Sequence, residues 1–362
     1  MKAIRACEKS AVLATLALVL LAACGGGSGG SNPVAQTPRS SEWLISRAQL
    51  LEGGPGQDGI PAIENPNFES AQTIATVAPQ ERLAVLLDGD QVKAYPLDVL
   101  DYHEIVNDGP SNAPFTLSYC PLTGSSVAWE GKAGDGDPTY GVSGLLYNSN
   151  LILYDRQTDT FWSQLLELGV NGPRIREQPE SKRMFETTLE TLRLMFPNAM
   201  VMTRDTGHVR PYGDYPYGSY KTDDNFLFPI TNQDNRLHPK QRVIGIHRRP
   251  DVKTYQLDAF GNTTQAINDQ FADQSIVVIG NSALNFAAIY SRQLADGTIL
   301  NFTAIQSDLP NVLLDDEGNV WDIFGRAVSG LRAGEQLSPT RSYVAMWFAF
   351  AAHFDQVEIH FN

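Results

Sequence analysis

Cysteine is scarce in this 362-residue chain, with three in all. Two of them, Cys7 and Cys24, fall in a leading segment expected to be cleaved or lipidated, so Cys120 is the one thiol expected in the folded body and an intramolecular disulfide is excluded. Basic residues are short as well: 27 Lys and Arg stand against 41 Asp and Glu, a formal charge of −14. That balance argues against nucleic acid and anionic lipid headgroups as partners, because repulsion must be overcome before contact. No Cys-x-x-Cys, His-x-His or methionine cluster occurs, and the local signatures of known cysteine hydrolases are missing. Any metal site or thiol enzyme would have to be built from scattered residues.

What is present begins with an address. Residues 1–23 read as a signal peptide: a basic start (Lys2, Arg5, Lys9), an apolar run from Ala11 to Leu21, then small residues. Leu21-Ala22-Ala23-Cys24 resembles a bacterial lipobox, which implies lipidation of Cys24 and attachment to a membrane through that lipid. Residues 24–57 then serve as a lipid-anchor tether, with Gly25 to Ser31 as its flexible Gly/Ser part. Gly25 offers no aspartate after the cysteine, so the resemblance implies the cell envelope at the periplasmic face of the outer membrane. Loss of Lys2, Arg5, Lys9 and Glu8 with the signal takes the formal charge to about −16.

The chain repeats itself at an offset of about 160 residues. Val92-Lys93-Ala94-Tyr95-Pro96-Leu97-Asp98 returns as Val252-Lys253-Thr254-Tyr255-Gln256-Leu257-Asp258, and Asn107-Asp108 returns as Asn268-Asp269. Asn150, Leu153, Asp155, Trp162 and Gly172 find partners at Asn311, Leu314, Asp316, Trp321 and Gly330. Residues kept in both copies read as packing and turn residues, Asn107-Asp108 among the turns. Residues found in one copy only are candidates for chemistry. His103-Glu104 faces Thr264-Gln265, and Tyr119-Cys120-Pro121 faces Ile279-Gly280-Asn281, so the titratable and nucleophilic groups belong to the first copy.

The expected fold class is α+β, mainly β, with two pseudo-repeated β-rich units joined by a helical and irregular connector and a buried C-terminal helix. The first unit, 58–172, carries the candidate site; 173–241 is the connector; 242–335 is the second, degenerate unit; 336–362 holds the final helix and strand. Asp88-Gly89-Asp90 predicts a hairpin between Leu83–Leu87 and Gln91–Tyr95, and Pro96 predicts a helix over Leu97–His103. Phe115–Cys120, Ser125–Trp129, Leu151–Tyr154 and Phe161–Leu165 are strand-like. Ser41–Leu51 is expected to form a short helix. Phe185, Leu189, Leu192 and Phe196 have a helical spacing, predicting a helix over Ser181–Phe196, and Tyr343–Phe354 predicts an enclosed helix followed by a strand from Gln356. Tyr212, Tyr215, Tyr217 and Tyr220 suit a packed irregular loop better than a sugar platform.

Four runs in the first unit carry a wider resemblance: His103-Glu104-Ile105-Val106-Asn107-Asp108; Tyr119-Cys120-Pro121-Leu122-Thr123-Gly124-Ser125; Ser143-Gly144-Leu145-Leu146-Tyr147-Asn148-Ser149-Asn150; and Tyr154-Asp155-Arg156-Gln157-Thr158 with Phe161-Trp162-Ser163-Gln164. Together they resemble the bacterial family called domain of unknown function 3179. The resemblance extends over most of the mature chain, including Phe226-Leu227-Phe228-Pro229 and Trp347-Phe348-Ala349. It implies a fold and a site position but no settled activity.

Three functions remain open for His103, Glu104 and Cys120. A metal site would pair the thiolate and imidazole on copper or zinc, with Glu104, Asp155, His208, His238 or His247 completing the ligands. A thiol enzyme would use Cys120 as nucleophile and His103 as base, Glu104 or Asn107 orienting the ring and Asn148, Ser149 or Gln164 holding a substrate carbonyl. A turn at Pro121–Gly124 would favour the thiolate if its N–H groups faced inward. A non-catalytic binding or scaffold module would leave His103 and Cys120 simply packed.

Overall fold

Gly89, at φ +60, closes the turn between the strands Arg82–Asp88 and Gln91–Pro96, which pair antiparallel from Leu83↔Pro96 to Asp88↔Gln91. Pro96 then caps the helix α1, Leu97–His103. This strand pair sets the pattern for the rest of the chain. The structure, a computed structural model, describes residues 42–131 and 139–361. The expected signal, Cys24 and the Gly/Ser part of the tether lie outside the described residues.

Six sheets make a six-bladed β-propeller. The first blade holds Arg82–Asp88 and Gln91–Pro96; the second runs through Ile105–Asp108, Phe115–Cys120 and Ser125–Glu130; the third through Tyr140–Tyr147, Asn150–Asp155, Phe161–Ser163 and Leu168–Asn171. The fourth holds Arg242–Arg248 and Asp251–Gln256, the fifth Gln265–Phe271, Gln274–Asn281 and Phe286–Ser291, and the sixth Phe302–Ala304, Asn311–Asp315, Val320–Asp322 and Ala327–Ser329. Shared cores give the order around the ring. Leu86 and Tyr95 pack with Leu117 and Tyr119; Trp129, Trp162 and Val243 share a core; Ile244 and Tyr255 pack with Val278; Val277, Trp321 and Phe185 share another.

The ring corrects the expected fold class: there are not two units joined by a helical connector. The supposed connector completes the first blade instead. Met184–Thr188 pairs antiparallel with Arg82–Asp88, the helix α2 (Leu189–Met195) crosses over, and Met200–Met202 pairs parallel with Gln91–Pro96. The C-terminal segment does the same for the fourth blade. Ser342–Met346 pairs antiparallel with Arg242–Arg248, the buried helix α3 (Trp347–His353) crosses over, and Gln356–His360 pairs parallel with Asp251–Gln256. The two helices expected over Ser181–Phe196 and Tyr343–Phe354 are therefore each a strand followed by a seven-residue helix. The reason is local. In the first, the β-branched Thr187 and Thr188 end a strand, and Thr188 caps α2 by accepting from the Thr191 N–H at 3.2 Å. Near the N-terminus, the helix expected over Ser41–Leu51 is a three-residue 3-10 turn, Arg47–Gln49, leading into the strand Leu50–Glu52.

The repeat is one of blades, three against three, and its shared residues make matching bonds. Tyr95 donates to Asp108 at 2.6 Å as Tyr255 does to Asp269 at 2.7 Å, with Lys93 and Lys253 each 2.9 Å from the same aspartate. The Trp162 indole donates to Asp155 and that of Trp321 to Asp315, so the counterpart of Asp155 is Asp315 rather than Asp316. Asn107 and Asn268 are not turn residues. Each sits in a strand and exchanges two hydrogen bonds with the backbone of the next blade, at Tyr140 and Phe302. Among the described residues no helix is long and apolar enough to cross a membrane.

Candidate functional site

Cys120 ends the strand Phe115–Cys120 opposite Ser125, with the Pro121–Gly124 turn between them and Gly124 at φ +57. The thiol is buried and touches the Ser149 carbonyl at 3.7 Å. Burial and the nearby Glu104 carboxyl push it up to about 11, outweighing Thr123, which favours the thiolate. A turn with inward N–H groups would favour the thiolate; burial and Glu104 outweigh that contribution.

Glu104 is the residue that reaches Cys120. It ends α1 with φ +58, and its carbonyl accepts from the Tyr119 N–H at 2.7 Å, which brings it beside the strand end. The residue is 6% exposed, and no hydrogen bond to its carboxyl occurs among the described residues. Burial, with Asp101 adding repulsion, raises it to about 8, which favours the protonated form at pH 7.

His103 is placed differently. Both ring nitrogens are engaged, Nδ1 with the Pro61 carbonyl at 2.8 Å and Nε2 with the Tyr212 hydroxyl at 2.6 Å. A carbonyl can only accept, so Nδ1 carries the proton and Nε2 accepts from tyrosine. Burial first, then His208 and Arg210, lower its pKa. The His208 ring lies 5.2 Å away. No hydrogen bond joins His103 to Cys120. Their strand-register counterparts in the other three blades, Thr264 and Asn281, do make one, at 3.3 Å. Register also shows that Asn281, not Gly280, occupies the place of Cys120.

The other candidates are committed elsewhere. Asn148 bonds the Ala352 carbonyl and the Thr231 N–H, and Ser149 bonds the Phe228 carbonyl, which ties the irregular 203–241 segment to α3. Gln164 is saturated by Asn150, Ser125 and Ser118. Asn107 takes Thr116 and Glu64 besides Tyr140. Asp155 holds Trp162 and Thr158, His238 pairs with Asp224, and His247 meets Glu167 at 2.9 Å. No group of three or more His, Cys, Asp or Glu able to hold a metal occurs among the described residues.

The tyrosine-rich segment, read from its composition as a packed irregular loop, is what covers the site, a placement no local motif signalled. Tyr215 donates to the Pro121 carbonyl at 3.0 Å, and Lys221 pairs with Asp101 at 3.1 Å. Tyr220 stacks under Lys240, whose ammonium stands 3.2 Å from the ring centre. The tyrosine-rich loop is thus packed over α1 and the Cys120 turn, and only the density of tyrosines in a Gly/Pro/Asp segment hinted at it.

No curated protein and no solved structure matches the chain. The family model described as protein of unknown function (DUF3179) matches residues 57–357, a span that includes strands of all six blades and the Cys120 turn. The chain belongs to the DUF3179 family.

Proposed function

We propose that this protein is a ligand-binding propeller of the cell envelope, tethered by lipid on Cys24, in which Cys120 is a packed thiol and not a nucleophile. The observation that carries the reading is the thiol's isolation from the imidazole: both ring nitrogens of His103 are tied to Pro61 and Tyr212, and no hydrogen bond joins it to Cys120. A thiol near 11 is almost wholly un-ionised at pH 7, and thiolate is the reactive form. Binding suits a ring of hydrogen-bonded blades beside which a long irregular segment, 203–241, is laid down.

A metal reading draws on one observation, the unpartnered Glu104 carboxyl beside the thiol. Copper or zinc would have to remove both protons and recruit His103 away from Tyr212. The experiment separates the readings: purify the full chain reduced, measure bound copper and zinc, and follow iodoacetamide alkylation of Cys120 against pH. The expected result is no stoichiometric metal and negligible alkylation below about pH 8.5. Rapid alkylation at pH 7 would overturn the reading in favour of a thiol enzyme. One metal per chain, lost in both Cys120→Ser and His103→Ala, would overturn it in favour of a metal centre.

A further inference from the structure

The chain dresses its two sets of blades unequally. Ahead of the first hairpin it lays one strand on each of blades one to three: Phe68–Ser70 beside Met200–Met202, Ile63–Glu64 beside Ile105–Asp108, and Leu50–Glu52 beside Tyr140–Tyr147. Among the described residues, blades four to six receive no such strand. The fourth blade, counterpart of the first, therefore stops at Gln356–His360. Register allows the two edges to be compared residue by residue. Met200 stands opposite Lys93 and Glu358 opposite Lys253, so Val201 corresponds to Ile359 and Met202 to His360.

Carbonyls alternate in direction along a strand. In the fourth blade the Glu358 carbonyl accepts from the Thr254 hydroxyl of the neighbouring strand at 3.1 Å, and the Val357 carbonyl, pointing the other way, accepts from Arg236 at 3.0 Å. The Ile359 N–H and C=O therefore face outward, and nothing bonds them there among the described residues. Arg236 stands in for the Ala71 N–H, which bonds the Ala199 carbonyl at 2.8 Å in the first blade. Beyond that one guard the edge is bare, with no proline, bulge or lysine in it. Val201 is wholly buried under its partner strand, whereas Ile359 keeps 6% exposure, Glu358 and His360 beside it keep more, and Phe361 is 69% exposed.

An open edge accepts a strand, and this edge is complementary to itself. We infer that Gln356–Phe361 pairs antiparallel with the same strand of a second copy, making a twofold dimer whose sheet runs through both fourth blades. Centred on Ile359, the pairing exchanges two hydrogen bonds between the Ile359 backbones. It sets Glu358 opposite His360 of the second copy, so that carboxylate meets imidazole and not carboxylate, which an acidic chain needs at a self-contact. Lys253 takes one oxygen of Glu358, whose side chain is still 62% exposed. Phe361, on the same face as Ile359, comes beside Val357 of the second copy and is covered. No aromatic residue is needed from another partner, because His360 lies 5.0 Å from Tyr255 where Phe68 lies 5.6 Å from Tyr95. The contact is short and falls below the about 1,200 Å² of a stable interface, so the dimer is weak and forms with rising concentration.

Sedimentation velocity of the full chain from about 5 to 500 μM tests it: the weight-average mass should climb from one chain toward two across that range. Ile359→Pro removes an N–H that serves no internal partner, and Phe361→Lys sets a charge at the pairing edge without touching the core; each should hold the protein monomeric. Should the proline variant fail to fold, the lysine variant decides alone. Leu331→Lys, at a leucine of the sixth blade that is 99% exposed, should leave the dimer unchanged. A monomer at every concentration would overturn the proposal and leave the edge to an extended peptide of another protein. A dimer that persists in Phe361→Lys, or is lost only in Leu331→Lys, would overturn it by placing the contact elsewhere.

Discussion

At the scale of single residues, Glu104 is the most exposed to test. Its neighbours are Asp101, Cys120 and Tyr217, none of which supplies a positive charge, so burial and the repulsion of Asp101 act in one direction with nothing to oppose them. The ordinary carboxyl value near 4.5 applies when the chain is unfolded and about 8 when folded. Between these values the folded state keeps a proton that the unfolded state releases, so stability falls as pH rises through the window. Glu104→Gln keeps the shape and abolishes the titration. Thermal unfolding of the two proteins should coincide near pH 4 and diverge above it, the glutamine variant being more stable by on the order of 2–4 kcal/mol at pH 8 and above. Glu81, raised to about 7, titrates in both proteins and cancels in the comparison. A constant difference from pH 5 to 9 would show that the carboxyl has a partner. The grouping of Glu104 with Cys120 was legible from their absence in the other repeat. The turning away of His103 was not, because Pro61 and Tyr212 come from 42 residues before and 109 residues after it.

At the scale of elements, the two repeated asparagines show how burial decides the worth of an identical bond. Asn107 and Asn268 each exchange two hydrogen bonds with the backbone of the adjoining blade, but Asn107 is 6% exposed whereas Asn268 is open to solvent. Asn107→Ala leaves the Tyr140 N–H and carbonyl buried and unpaired and should cost about 2–3 kcal/mol; at Asn268 water takes the vacated places and the cost should stay below about 1 kcal/mol. Urea unfolding of both variants checks the order, and equal costs would mean that bond count, not desolvation, sets the price. Hairpins and α1 were readable because Asp88-Gly89-Asp90 and Pro96 punctuate locally. The strand-to-helix switches at Thr188–Leu189 and Met346–Trp347 were not. Phe185, Leu189, Leu192 and Phe196 keep a helical spacing across the switch, yet Phe185 is held in a strand by Val85, about 100 residues away in the chain.

At the scale of the whole molecule, the two crossovers decide whether the ring closes, and that information is absent from any local window. The repeat was visible as scattered identities, but its meaning depended on Met184–Thr188 returning to the first blade and Ser342–Met346 to the fourth. Composition reads the same for a connector and for a completing strand; only the pairing partner differs. A propeller's blades depend on their neighbours for burial, so closure should make the unfolding cooperative. Removing residues 342–362 reduces the fourth blade to the bare hairpin Arg242–Arg248 and Asp251–Gln256 and takes Trp347, Phe350 and Phe354 out of the core shared with the second and third blades. A chain ending at Arg341 should therefore lose its cooperative thermal transition altogether and become protease-sensitive throughout, including blades that the deletion does not touch. If blades one to three instead kept a transition of their own, detectable by circular dichroism and as a protected fragment, the first half would be a folding unit in its own right, and the ring would owe its stability to blades acting separately and not to closure.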